Sequence, residues 1–84
     1  MQEKEIGTVT HYFGHINVII IQLSDTLKIG DTIHIKGHTS DFTQKVDSMQ
    51  IEHASVTEAK SADAVGIKVE QKSHPKDKVF KVIS

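Results

Sequence analysis

Residues 27–37 restrict the fold more than any other segment of this 84-residue chain. Leu27 and Ile29 lead into a Gly30-Asp31 turn. Glycine takes φ > 0 there at no steric cost, and an aspartate in a turn bonds back to the local backbone. The turn launches a strand in which Ile33 and Ile35 alternate with Thr32, His34 and Lys36. That period of two places one side against a core and the other in water. Gly37 closes the strand. Punctuation of this kind predicts a small antiparallel barrel.

Composition agrees. A chain this short makes one domain, residues 1–84, and buries only about 60–65% of the surface its unfolded form exposes. Its apolar supply is mostly Val and Ile, with four aromatics (Tyr12, Phe13, Phe42 and Phe80) and no Trp. β-Branched side chains suit a pleated, half-buried surface. There is no Cys, which removes disulfides, thiolate metal sites and cysteine nucleophiles together, and fits a reducing compartment. The first five residues include three charges (Glu3, Lys4 and Glu5) and lead into no signal-type apolar run. The longest apolar run, residues 18–21, is far shorter than the roughly 20 residues a membrane helix needs. The expectation is a soluble, cytoplasmic protein with no membrane partner.

The formal net charge is −1, from ten cations and eleven carboxylates, and every cation is Lys. Arginine supplies the planar fork that grips phosphates and guanines, so its absence argues against tight, specific nucleic-acid recognition.

Strand signals recur along the chain. Residues 5–12 form the first expected strand. Residues 16–23 form the second, apolar on both faces, which implies a strand covered on both sides or one face that meets a partner. Residues 24–30 read as a loop, 32–36 as the third strand and 37–40 as a turn. A long fourth strand is expected over 42–53, a short fifth around Val56, a sixth over 64–70 and a last one over 78–83. Six or seven short strands with turns every eight to twelve residues predict an all-β, small closed antiparallel β-barrel.

The ordered blocks Ile6-Gly7-Thr8-Val9, residues 27–35, Lys45-Val46-Asp47-Ser48-Met49-Gln50, residues 59–69 and Asp77-Lys78-Val79-Phe80 carry a family resemblance. They resemble the second, β-barrel domain of translational GTPases of the elongation factor Tu type, and in particular stand-alone translation elongation factor-like proteins. A related barrel also ends some U32-type peptidases. Two turns depart from the pattern: Ala62-Asp63 and Lys76-Asp77 stand where a glycine usually precedes the aspartate, so both turns are expected to differ in backbone geometry. No phosphate-cradling loop of the G-x-x-x-x-G-K-[ST] type is present, so nucleotide hydrolysis is not implied.

Chemistry-bearing patterns are few. His11 and His15 are four apart, as are His34 and His38, but that spacing aligns metal ligands only on a helix, and neither pair lies on one. Ser24-Asp25 and Ser73-His74 lack the strained elbow and third group of a nucleophilic site. The chain is therefore expected to be no enzyme and to hold no metal, cofactor or nucleotide.

Tyr12-Phe13-Gly14-His15 is the most distinctive turn. Adjacent strand residues point to opposite faces, so only one of its aromatics can enter the core. The favoured reading has Phe13 folding back to cap the barrel end. The resemblance implies a translation-linked module that docks on ribosomal RNA or a translation factor. The loops at 12–15 and 37–41 would supply shape, and Lys36 and Lys45 phosphate contact. The expected partner-binding residues are Tyr12, Phe13, His15, Lys36, His38 and Lys45. The alternative is a protein–protein adaptor or accessory barrel, as at the end of U32-type peptidases, with no RNA role.

Overall fold

The computed structural model describes residues 2–83. Its strands are β1 (Glu3–Phe13), β2 (Val18–Leu23), β3 (Leu27–Lys28), β4 (Thr32–Lys36), β5 (Asp41–Lys45), β6 (Met49–Ile51), β7 (Ala54–Val56), β8 (Glu58–Ala59), β9 (Ala64–Lys68) and β10 (Lys78–Val82). Among the described residues there is no helix. Eight strands make one antiparallel sheet in the order β5-β4-β10-β1-β2-β9-β6-β7, and β3 pairs with β8 as a separate ribbon.

The all-β antiparallel expectation is met, but the expected closed barrel is not. β5 and β7 end the sheet, each with one edge outside the backbone ladder. The Gln44 side chain bridges the seam between β5 and the end of β9. Gln44 Nε2 donates to the Lys68 carbonyl at 2.9 Å, and Gln44 Oε1 accepts from the Glu70 N–H at 3.0 Å. A side-chain amide offers a donor and an acceptor as a peptide group does, so it ties the edge without extending the ladder.

The strand count also exceeds six or seven. The expected strand over 42–53 breaks at Val46, whose N–H donates to the Asp31 carbonyl at 2.8 Å while its carbonyl accepts from Gly30 N–H at 2.9 Å. Those bonds pull the chain out of the sheet before β6 begins. The expected loop over 24–30 contains β3, held by β8.

β1 is the spine of the sheet, pairing with β10 on one side and β2 on the other. Ile6 and Val9 are buried and Tyr12 packs on the core, although a spacing of three would set neighbours on opposite faces of a regular strand. Register shifts between Glu5 and Gly7 and between Val9 and His11 resolve the conflict. Each inserts one residue, resets the parity and increases the local twist.

The core is one cluster of Ile, Val and Leu with Phe42 and Met49. Its central row crosses four strands in register: Tyr12, Ile19, Ile67 and Met49. Leu27 and Ala59, from the β3–β8 ribbon, are also buried.

Three turns share one construction. In residues 28–31, 60–63 and 74–77 the fourth residue is Asp; its N–H donates to the carbonyl of the first, at 3.1, 3.0 and 3.1 Å. Its carboxylate accepts from the N–H of that first residue, at 2.9 Å in all three. The third residue has φ > 0 each time: Gly30 at 97°, Ala62 at 78° and Lys76 at 78°. The expectation that the Ala62 and Lys76 turns differ in geometry is therefore corrected, because the aspartate cap imposes the glycine-like conformation. Left-handed backbone costs an L-residue about 1–2 kcal/mol, part of which glycine returns as extra unfolded-state entropy. Ala62→Gly is expected to stabilise the fold by about 0.5–1 kcal/mol, measured by denaturant unfolding; a loss of stability would remove this account of the turn.

Candidate functional site

On β2, Ile19, Ile21 and Leu23 face the core, while Val18 and Ile20 face outward and are half-buried. The bulge at Thr10 brings two β1 residues to that outer face: His11 lies opposite Ile20 and Phe13 opposite Val18. The two rings stack, with centroids 6.2 Å apart and an interplanar angle of 27°. β9 adds Ala64 and Gly66 next to β2, and β6 adds Gln50 opposite Gly66.

Gly66 makes this face concave. A Cβ there would meet Ile20 Cδ1 at 3.5 Å and Val18 Cγ1 at 3.7 Å, ordinary contact distances, so its absence leaves room rather than relieving a clash. The depression has a volume of about 260 Å³. Phe13 and Ile16 stand at its border, 47% and 60% exposed. Such large apolar side chains around one hollow mark a contact surface more than singly scattered ones do.

Its opposite border is the turn joining β6 to β7. Glu52 and His53 are its two central residues, with φ of 50° and 66°, between the paired Ile51 and Ala54. Two-residue hairpins with both φ values positive favour Asn-Gly or Gly-Gly. Glu and His here accept backbone strain while their side chains line the hollow.

The sequence-derived site residues divide into two groups. Tyr12, Phe13 and His15 belong to the β1–β2 hairpin; Lys36, His38 and Lys45 belong to the β4–β5 hairpin, on the far side of β10. Within that second hairpin Lys36 pairs with Asp41 and Lys45 with Thr32, at opposite ends of one outer face. Tyr12 turns inward onto the core. Phe13 does not fold back as expected; the Thr10 bulge turns it outward. The sequence reading missed Ile16, Val18, Ile20, Gly66, Glu52 and His53 as a set. Its one usable signal was the two-sided apolar character of β2.

A second constellation lies on the β4 outer face. His34 Nδ1 is 2.8 Å from Glu3 Oε2, and Nε2 is 2.5 Å from Asp41 Oδ1. The Asp41 hydrogen bond, and after it the Glu3 carboxylate, hold the His34 pKa above its ordinary 6.5 against the opposing effect of partial burial. The same contact holds Asp41 below the ordinary carboxylate value. The His34 contribution to stability is complete below about pH 6.5 and is lost as pH rises through its raised folded value; the Asp41 contribution is lost on acidification through its lowered one. The clasp is therefore strongest in mild acid, and the melting temperature is expected to fall by a few degrees between about pH 5.5 and pH 8.5. In His34→Ala that difference should shrink; an unchanged pH profile would show that the clasp does not couple to folding.

Ser40 Oγ and Thr39 Oγ1 each lie 3.4 Å from His74 Nδ1. The Asp77 carboxylate accepts from the His74 backbone N–H, not from its ring. The contact thus ties the 37–40 turn to the 74–77 turn and does not form a Ser-His-Asp relay. Among the described residues no three His, Cys, Asp or Glu side chains converge as metal ligands.

No protein-family model matches the chain. It is similar to an uncharacterized protease of Methanocaldococcus jannaschii, 40% identical over 77 residues that cover 90% of this chain and 19% of that protein. It is also similar to a collagenase of Porphyromonas gingivalis, 32% identical over 82 residues that cover 95% of this chain and 23% of that protein. The chain thus spans about a fifth of the length of these relatives. Among solved structures it matches the C-terminal domain of a Geobacillus thermoleovorans protein described as a U32 peptidase. The TM-score is 0.89 at 20% identity, covering 95% of this chain and 93% of that one. That likeness shows the fold.

These findings overturn the translation reading. The relatives are proteases and collagenases, and the structural match is a U32 peptidase C-terminal domain, not an elongation factor domain. The Gly-Asp turns and alternating strands that carried the resemblance specify a small β fold, and a fold hosts many functions. Neither a ribosomal partner nor RNA finds support in them.

Proposed function

We propose that this chain is a non-catalytic accessory β-domain that docks on the body of a U32 peptidase-type protein through the outer face of β1, β2, β9 and β6. The observation that carries the reading is the apolar hollow over Gly66, with Phe13 and Ile16 exposed at its border. Support for the partner comes from the relatives, in which the matching stretch is a fifth of a longer protease or collagenase. Docking gains from covering apolar area: an aromatic buries about 150–250 Å², and Phe13 is about half exposed, so its burial yields about 2 kcal/mol.

The test is titration calorimetry with a U32 peptidase-type protein of the same organism, lacking its own copy of this domain where it has one. Phe13→Ser is expected to weaken binding by tenfold or more, as loss of a large interface aromatic does, while added salt has little effect. Full-strength binding by both Phe13→Ser and Ile16→Ser would exclude this face.

A further inference from the structure

We infer that the same face also closes on a second copy of this chain, so that a resting dimer and the docked form exclude one another. This rests on the outer face being a protein-docking surface. Two features of the face point to self-recognition.

The first is shape. A two-fold interface places one patch against itself, so the patch must hold both a projection and a recess. Here the two adjoin: Phe13 and Ile16 project beside the hollow floored by Ala64 and Gly66. Rotating a second copy by two-fold symmetry sets the projections of each over the recess of the other.

The second is charge. β6 and β9 are antiparallel, with Gln50 opposite Gly66. Two residues further along, Glu52 lies toward the Ala64 end of β9, while Lys68 lies at the other end, opposite Val18. Both side chains are exposed. The face therefore carries an acid at one end and a base at the other. Two copies stacked antiparallel place Glu52 of each against Lys68 of the other, twice. Stacking in the parallel sense opposes like charges.

Sedimentation equilibrium of the intact chain, up to about 1 mM, tests this in the weak range expected of a small interface. The wild type should dimerise, and Phe13→Ser should remain monomeric. Glu52→Lys and Lys68→Glu should each weaken the dimer by about tenfold, the scale of two lost exposed charge pairs. The combined variant E52K/K68E should recover the dimer, because both pairs are merely inverted. A wild type that stays monomeric, or a combined variant as weak as the single ones, overturns the inference. A monomeric chain that still binds a U32 peptidase-type protein, with loss on Phe13→Ser, ends the dimer alone and leaves docking standing.

Discussion

Ile19→Ala is expected to reduce the free energy of unfolding by about 4 kcal/mol, within the 2–5 kcal/mol typical of such core truncations. Ile19 is fully buried at the centre of the row that links β1, β2, β9 and β6 through Tyr12, Ile67 and Met49. Both flanking strands are held by ladders, so the cavity has little freedom to collapse. A domain of this length has about 4–12 kcal/mol in all, so the variant should lose about a third or more of its stability. Denaturant unfolding at 25 °C measures the loss. A change below about 1 kcal/mol would mean that the row is loosely packed.

Gly7→Ala is expected to cost about 3 kcal/mol, although it adds a single methyl group. Gly7 pairs with Val79 on one side and Leu23 on the other. A Cβ there would lie 2.7 Å from the Gln22 carbonyl oxygen and 2.7 Å from Ile21 Cγ2. The carbonyl belongs to the β1–β2 ladder and cannot retreat without breaking it. Gly66→Ala is the matched control. Its nearest contact would be an ordinary 3.5 Å, so stability should hold while the hollow loses depth. Equal losses at both positions would show that close approach is not what selects Gly7.

The strand read from residues 32–36 coincides with β4 because its turn chemistry and its alternation agree. The outer face was half legible. Val18 and Ile20 signalled a second apolar side of β2, but the outward turn of Phe13 depends on a bulge at Thr10, a residue with no distinguishing pattern. The break at Val46 was hidden for a similar reason, since backbone bonds to Gly30 and Asp31 make it and side chains do not reveal it. Ala62 and Lys76 looked like departures from a glycine turn, yet the aspartate that follows each enforces the same geometry. Glu52 and His53 gave no hint of a two-residue hairpin, because their backbone adopts what their side chains disfavour. The His34 clasp joins Glu3 and Asp41 from β1 and β5, a proximity that only the sheet order creates.

An amide chemical-shift titration of the isotopically labelled chain with a U32 peptidase-type protein tests the docking face most directly. The changes are expected at Phe13, Ile16, Ile20, Gly66, Glu52 and His53. Changes gathered on Lys36, His38 and Lys45, with the hollow over Gly66 silent, would contradict it.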